Sequence, residues 1–308
     1  MTTLTYYLVA GSESSLPVDL GDVQTAFVQK LSSILPDNPV RWVSLGEVHS
    51  GLSAQVACAT ERLGDDVFVV SLSGLYYPHA DAEISCNRLV DAFGSPLGMG
   101  PRPRSASLSD QVANVMRQAA DRPLIVVDDT LFHGDTVKGL IRSGLKVDGV
   151  VEFFTSSEAF GEFEHDGIPV FSSETLEGYL DVLPLHDFLP MMPLCGKVVG
   201  KPSAGGWDPL ADHGVSYSLP YLLPFITRDQ LSSWASIPVD SALEFSIFAL
   251  TRGIQVAERL RNYGFSSVGS ATRYYPHRTS VPLLDGVNFE PDLPLVDLLG
   301  RSLHRLIS

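Results

Sequence analysis

Residues 124–136, with the sequence LIVVDDTLFHGDT, constrain the fold more than any other part of the chain. Four apolar residues, 124–127, precede two adjacent aspartates. An uninterrupted apolar run of this length is typical of a strand that is buried on both faces, as in the centre of a parallel sheet. The pattern therefore predicts an α/β fold with Asp128 and Asp129 at the carboxyl end of a central strand. In open parallel sheets, ligands bind at that end of the strands.

The residues after the aspartates predict an anion-binding turn at the start of a helix. Gly134 lets the backbone adopt a positive φ or approach a ligand closely, and a helix is predicted to begin near Asp135 or Thr136. The first turn of a helix offers unpaired N–H groups to a phosphate, and the Thr136 hydroxyl can donate to it as well. Because carboxylates repel a phosphate, Asp128 and Asp129 suit sugar hydroxyls or a divalent cation. The two ends together predict a site for a phosphorylated ribose.

This segment resembles the 5-phosphoribosyl-1-diphosphate (PRPP) binding motif of the type I phosphoribosyltransferases, in which an apolar strand, two acidic residues and a short loop precede Gly-x-Thr. The resemblance implies Mg²⁺-dependent transfer of a 5-phosphoribosyl group from PRPP to a nitrogenous, nucleobase-like acceptor. It implies that the catalytic residues Asp128 and Asp129 hold the ribose hydroxyls and the Mg²⁺. It also implies a loop around the 5′-phosphate, made of Phe132, His133, Gly134, Asp135 and Thr136.

Two features of this loop depart from the family. Where family members usually have small hydroxyl residues before the glycine, this chain has Phe132 and His133, and Asp135 adds a negative charge beside the phosphate. The departures imply a weaker phosphate contact or a loop adapted to another ligand. His133, which would face the ligand, is also a candidate general base.

The resemblance implies two further contacts with the pyrophosphate. The strand DVFVVSLSG ends in Ser73 and Gly74, whose backbone N–H groups are candidates for cradling the pyrophosphate; the alternative is an ordinary strand-to-helix turn. Residues 98–109 are rich in glycine and proline and carry Arg102 and Arg104. Family members have a mobile loop before the motif strand that closes over PRPP, so these arginines are candidates for stabilising the departing pyrophosphate. The alternative is a solvated surface loop.

The order of apolar segments predicts how the chain is divided. Residues 1–181 alternate strands and helices, which predicts a phosphoribosyltransferase-like core with a parallel sheet and helices on both faces. Within this core we expect a strand over residues 40–48 and a helix over residues 82–93. Residues 182–308 are predicted to form a C-terminal extension of Pro-rich loops and helices, with helices over 241–263 and 296–307.

Composition limits the compartment and the partners. The three cysteines are far apart, which argues against a disulfide framework and favours a reducing cytoplasm. The first residues do not form a secretory signal, and no apolar stretch approaches the roughly 18 residues of a membrane span, so we expect a soluble protein that does not act in a membrane. A net charge of −15 argues against an extended nucleic-acid surface. A homo-oligomer or a protein partner remains open.

Three alternatives to a transferase also remain open. The first is a non-catalytic sensor of PRPP or nucleotides, which follows if Phe132 and His133 have disabled the chemistry. The second is a phosphoribosyltransferase-like effector that cleaves nucleotides together with protein partners, as in bacterial defence systems. The third is an unrelated magnesium-dependent phosphotransfer protein. The sequence argues against the third, because residues 196–202, GKVVGKP, have the wrong spacing for a G-x-x-x-x-G-K-[ST] loop.

Overall fold

The computed structural model describes residues 4–203, 206–212, 214–275, 278–283 and 290–308. The chain divides into two compact units. The first unit contains the described residues of three segments, Met1–Trp42, Arg88–Arg104 and Leu180–Ser308. The second unit contains Val43–Asn87 and Ser105–Tyr179.

Both units combine strands and helices. The strands of the described residues are β1 (Thr5–Val9), β2 (Val40–Val43), β3 (Phe68–Ser71), β4 (Ala82–Glu83), β5 (Cys86–Val90), β6 (Pro96–Pro101), β7 (Leu124–Leu131), β8 (Gly149–Ser156), β9 (Val170–Leu176), β10 (Tyr179–Pro184), β11 (Lys197–Ser203), β12 (Gly206–Pro209), β13 (Ala211–Asp212), β14 (Val215–Leu219) and β15 (Val281–Pro282). The α-helices are α1 (Gly21–Ile34), α2 (Leu45–Leu63), α3 (Leu108–Ala119), α4 (Asp135–Arg142), α5 (Ser157–His165), α6 (Arg228–Ala235), α7 (Ala242–Leu260), α8 (Val268–Tyr274) and α9 (Leu295–Ile307). Short 3-10 helices cover Ser12–Ser15, Leu185–Phe188, Val239–Ser241 and Arg261–Tyr263.

The second unit contains a five-stranded sheet flanked by helices. Its strands follow the order β4-β3-β7-β8-β9, and every neighbouring pair is parallel. Counted along the chain, this order is 2-1-3-4-5, a doubly wound arrangement in which the strand order reverses between β3 and β7. Helix α2 packs against β8 and β9. The predicted α/β class with a parallel sheet is therefore confirmed.

Strand β7 occupies the centre of this sheet. Its residues 124–127 are all buried, as the apolar run predicts, and all eight residues of the neighbouring β8 are buried as well. The strand continues through the acidic pair to Leu131. Asp128 and Asp129 therefore lie half-buried in the last part of β7, at the carboxyl end where the sequence predicts them, and the strand extends two residues further than the apolar run and the acidic pair.

The first unit is built on two sheets and an aromatic core. One sheet has the order β10-β1-β2; the other has the order β13-β14-β11-β5-β6, with β12 paired to β11 and β15 paired to β14. The ring of Phe27 stacks on that of Phe188 at a centroid distance of 5.9 Å. The ring of Phe245 lies edge-on to Phe188 at 5.0 Å. All three side chains are fully buried.

The structure places the N-terminal segment differently from the predicted division at residue 181. Residues 4–42 belong to the same unit as the described residues after 180. The physical reason is strand pairing, because β1 lies between β10 and β2 in one sheet. The predicted C-terminal helices are confirmed as α7 and α9, but strands β11 to β14 precede them and were not predicted.

Two local predictions are wrong. The helix expected over residues 82–93 is absent; β4 and β5 occupy this segment, and β5 pairs with the distant β11 through Leu89 and Val198. The strand expected over residues 40–48 ends at Val43, because Ser44 and Glu47 form a capping box that starts α2. Across the described ranges, we find no helix with the length and hydropathy needed to cross a membrane.

Candidate active site at the edge of the parallel sheet

The acidic pair lies next to the point where the strand order reverses. In open α/β sheets, ligands bind in the crevice outside the carboxyl ends of the two strands at such a point. These strands are β3 and β7 in the second unit. The Leu72 amide, just after β3, donates a hydrogen bond to the Val127 carbonyl at 2.9 Å, so the residues after β3 run beside the strand that carries Asp128 and Asp129.

Ser73 follows β3 in a tight turn. Its carbonyl accepts hydrogen bonds from the amides of Tyr76, at 3.0 Å, and Tyr77, at 3.1 Å. Its own amide donates to Ser71 Oγ at 3.1 Å, so this N–H already has a partner and is not free for the predicted pyrophosphate contact. The buried Ser73 hydroxyl, in contrast, has no hydrogen-bond partner among the described residues. The groups of this turn that can hydrogen-bond to a ligand are therefore the Ser73 hydroxyl and the backbone of the half-buried Gly74.

Gly134 shapes the turn that leads into α4. Its φ of 69° lies in the left-handed region, and α4 begins at the next residue, Asp135, so the predicted positive φ and helix start are both confirmed. A Cβ at this position would approach Phe163 Cε2 to 2.2 Å. Both the backbone angle and the space thus require glycine. The first turn of α4, which includes Thr136, then presents backbone N–H groups without intrahelical partners.

The two residues before Gly134 point to different surroundings. The Phe132 ring packs against Tyr179 at a centroid distance of 5.2 Å, and the Phe132 carbonyl accepts a hydrogen bond from Ser156 Oγ at 2.5 Å. His133 is exposed, as is Asp135. Phe132 therefore fixes the turn within the unit, and the side chain of His133 remains accessible.

Lys138 is a charged residue of this turn that sequence reasoning missed. Its Nζ donates to the His133 carbonyl at 3.1 Å and pairs with Glu162 at 2.5 Å. The hydrogen bond from Lys138 lowers the pKa of Glu162, which holds that carboxylate in its charged form. Lys138 lies one helical turn after Gly134, a spacing from which the contact could have been found. Because its ammonium group is paired with Glu162, the contribution of Lys138 to this loop is the hydrogen bond to the His133 carbonyl.

Glu152 is the second residue that was missed, and it lies on β8 beside the acidic pair. Glu152 is the register partner of Asp128 on the adjacent parallel strand. It is 0 % exposed, and neither carboxyl oxygen has a hydrogen-bond partner among the described residues. Burial raises the pKa of Glu152 well above its ordinary value, and the charges of Asp128 and Asp129 raise it further. The sequence feature that could have identified Glu152 is its position as the single acidic residue inside the apolar run GVVEFF.

The donor set at this edge fits Mg²⁺. Asp128 and Asp129 supply carboxylate oxygens, the ligands that this cation prefers. In the described part of the chain, no group of three or more His, Cys, Asp or Glu residues could hold a metal ion. A magnesium ion here would therefore take further ligands from substrate phosphates and water, which is its usual mode of binding in phosphate-handling sites.

Arg102 and Arg104 belong to the first unit. The acidic pair, the predicted phosphate loop (residues 132–136) and Ser73 belong to the second. Strand β6 runs through Pro101, so Gly98 and Gly100 lie in a strand and not in the free loop that was predicted. Arg104 Nε donates to the Gly214 carbonyl at 2.9 Å. That Arg102 and Arg104 form part of a mobile lid stays a prediction.

Comparison with known proteins adds distant structural neighbours. Neither the scan against family models nor the search of curated proteins gave a match. A hypothetical protein from Neisseria gonorrhoeae with bound ppGpp is 15% identical, with 45% of this chain and 84% of that chain covered and a TM-score of 0.31. The protein TT1426 from Thermus thermophilus is 15% identical, with 43% and 84% covered and a TM-score of 0.27. Adenine phosphoribosyltransferase from Thermoanaerobacter pseudethanolicus is 12% identical, with 48% and 99% covered and a TM-score of 0.28. We base the functional assignment on the residues of the site.

Proposed function

We propose that the second unit binds PRPP with Mg²⁺ and transfers its 5-phosphoribosyl group to a nitrogenous, nucleobase-like acceptor. One observation carries the proposal. A half-buried acidic pair lies on β7 where the strand order reverses, and a glycine with a φ of 69° follows it at the start of α4. This arrangement puts acceptors for sugar hydroxyls and donors for a phosphate on one continuous segment, as a phosphorylated ribose requires.

Each end of the segment has its own role. Asp128 and Asp129 accept hydrogen bonds from the ribose 2′- and 3′-hydroxyls and are the residues that would hold the metal. The backbone N–H groups of the first turn of α4 and the Thr136 hydroxyl donate to the 5′-phosphate. The Ser73 hydroxyl and the Gly74 backbone contact the pyrophosphate.

Transfer of the 5-phosphoribosyl group requires mainly that the two reactants are held in position and that the charge developing in the transition state is stabilised. As the bond between ribose C1 and pyrophosphate breaks, C1 gains positive charge, and the nitrogen of the acceptor attacks it from the opposite face. The acidic pair fixes the ribose so that C1 is exposed to the acceptor, which lowers the entropic part of the barrier. Bound Mg²⁺ supplies neutralisation of the pyrophosphate charge.

The acidic pair provides the direct test. Asp128→Asn combined with Asp129→Asn keeps the size of both side chains and removes both charges. Isothermal titration of PRPP with Mg²⁺ should show binding to the wild type and none to the double variant, while thermal unfolding stays cooperative. Asp121→Asn, at an exposed position in the same unit, is the matched control and should bind like the wild type. Equal PRPP affinity in the double variant and the wild type would overturn the assignment.

A second function, a non-catalytic PRPP or nucleotide sensor, is favoured by one observation. The position before His133 carries an aromatic ring packed on Tyr179, where family members usually have a small hydroxyl residue that can reach the phosphate. Measuring pyrophosphate release across a panel of nucleobases separates the two functions. Release with one acceptor supports the transferase, and PRPP binding without release supports the sensor. Release of a base from nucleotides without PRPP would identify a nucleotide-cleaving effector instead.

A further inference from the structure

Two cationic side chains lie side by side in the first unit. Strands β11 and β5 are parallel, and their register pairs Val198 with Leu89 and Val199 with Val90. The residues immediately before these pairs are Lys197 and Arg88. Because paired residues on adjacent parallel strands point to the same face of a sheet, Lys197 and Arg88 share a face.

Aromatic rings cover one side of Lys197. Its Nζ lies 3.8 Å from the centroid of the Trp234 ring and 5.5 Å from that of Tyr221. These distances are typical of cation–π contacts, which hold an ammonium group in place without neutralising it. Lys197, Tyr221 and Trp234 are half-buried and Arg88 is exposed, so a small molecule can reach the charged groups from solvent.

No carboxylate among the described residues forms an ion pair with Lys197 or Arg88. Asp181 and Asp187 are the acidic groups whose charges act on Lys197. Each accepts a hydrogen bond from a backbone amide, Asp181 from Val182 and Asp187 from Gly196, both at 2.9 Å.

The electrostatic balance around the lysine agrees with this geometry. Burial, followed by the positive charge of Arg88, lowers the pKa of Lys197 to about 8. Asp187 and Asp181 act in the opposite direction but do not outweigh these two causes. An anion bound beside both cations would offset the repulsion that Arg88 exerts on Lys197.

We propose that Arg88 and Lys197, with Trp234 and Tyr221 as an apolar wall, form a binding site for the phosphate or carboxylate group of a small anionic ligand. The planar guanidinium of Arg88 can contact two oxygens of such a group, and the Lys197 ammonium adds a point charge. The site lies entirely within the first unit and does not depend on PRPP binding by the second.

Tryptophan fluorescence gives a local readout, because the Lys197 ammonium touches the Trp234 indole. Sodium phosphate and sodium acetate, titrated separately at constant ionic strength, distinguish the two kinds of oxyanion. At least one should give a saturable change in the wild type, and Lys197→Met and Arg88→Met should each weaken it about tenfold or more. Lys197→Arg keeps the charge and should retain binding. The affinity should fall as pH rises through about 8, where Lys197 loses its proton.

Three further variants make the result decisive. Trp234→Phe should abolish the fluorescence change, because the described rings that Lys197 contacts are Tyr221 and Trp234, whereas Trp42 and Trp207 lie on β2 and β12. Lys201→Met removes an exposed charge from the same strand and should bind like the wild type. Thr136→Val affects only the phosphate loop of the second unit, so an unchanged response separates the two sites. A wild type that responds to neither anion, or a Lys197→Met protein that binds as tightly as the wild type, would overturn the proposal.

Discussion

Asp128 and Glu152 are register partners on the adjacent parallel strands β7 and β8. The fully buried carboxyl group of Glu152 therefore lies beside Asp128, which we propose binds a ribose hydroxyl. Burial, and then the charges of Asp128 and Asp129, raise the pKa of Glu152 well above its ordinary value. Glu152 therefore stays protonated to a higher pH than an exposed glutamate. In that form it adds no third negative charge to a site that is proposed to take a polyanion.

Glu152→Gln tests this protonation through stability. The pKa of Glu152 is higher in the folded protein than in the unfolded chain. Its contribution to the free energy of unfolding is thus fully present below the unfolded pKa and is lost as pH rises through the folded pKa. Glutamine keeps the shape and cannot ionise. We expect urea unfolding between about pH 5 and about pH 8 to show a smaller loss of stability in Glu152→Gln than in the wild type.

Glu158→Gln is the matched control for that comparison, since Glu158 is exposed on α5 of the same unit. It should show the wild-type pH dependence. An identical pH dependence in Glu152→Gln and the wild type would contradict the prediction, because it would mean that the pKa of Glu152 is the same in the folded protein and in the unfolded chain.

Gly134→Ala should be destabilising for two separable reasons. The φ of 69° is costly for any residue with a Cβ, and the added Cβ would meet Phe163 at 2.2 Å. Gly167→Ala isolates the first cost, because Gly167 has a φ of 78° and its Cβ would meet nothing within 4 Å. By thermal or urea unfolding, we expect Gly167→Ala to lose about 1–2 kcal/mol and Gly134→Ala to lose clearly more. Equal losses would show that Phe163 moves away freely.

Glu13 provides a second prediction on pH, in the first unit. Its Oε1 accepts from the Gly11 amide at 2.8 Å, but its buried Oε2 has no hydrogen-bond partner among the described residues. The nearby His186 Nδ1, 4.0 Å away, already accepts from the Ser12 amide and cannot donate to Oε2. Burial, opposed mainly by the Gly11 hydrogen bond, raises the pKa of Glu13 from 4.5 to about 7.

Because the folded pKa of Glu13 is raised, its contribution is present below pH 4.5 and is lost as pH rises to about 7. A shift of this size corresponds to a loss on the order of 3 kcal/mol. Glu13→Gln should remove this loss, so that the variant unfolds at a higher urea concentration than the wild type at about pH 8. Glu258→Gln, exposed on α7, serves as the control. A Glu13→Gln protein that is less stable than the wild type at both ends of this range would contradict the prediction.

The parts of the site that were predictable depend on local rules. The buried strand, the aspartates, the positive φ of Gly134 and the start of α4 follow from one short segment, in which an apolar run, a glycine and a helical pattern adjoin. Propensity and steric limits act within a few residues, so a single sequence is enough to locate these features.

The remaining parts depend on pairing between distant segments. Glu152 joins the site only because β8 is in register with β7, and the register cannot be read from either strand alone. Residues 82–93 have apolar positions that fit a helix, but β5 pairs with β11, more than 100 residues later in the chain. Tertiary pairing overrode local preference there. The same pairing brings Arg88 to Lys197.

The last prediction concerns Arg102 and Arg104, whose replacement by alanine, one at a time, should lower turnover far more than it affects PRPP binding. A group that meets the pyrophosphate mainly as it departs stabilises the transition state and contributes little to the ground state, so its loss appears in kcat. Steady-state assays of pyrophosphate release should show a fall of about tenfold or more in kcat, while titration calorimetry shows a nearly unchanged affinity for PRPP.

The two arginines differ in one respect that controls the interpretation. Arg104 Nε donates to the Gly214 carbonyl, so Arg104→Ala should also lower the free energy of unfolding, by about 1 kcal/mol. Arg102 is half-buried and its charge acts on His186, whose pKa is lowered to about 3 by burial first and by Arg102 second. Because that imidazole is neutral near neutral pH and Arg102 makes no hydrogen bond or ion pair with another described residue, Arg102→Ala should cost less stability than Arg104→Ala and isolate the effect on kcat. If both variants instead lose only affinity for PRPP, with kcat unchanged, the segment is a ground-state binding surface and does not act as a lid.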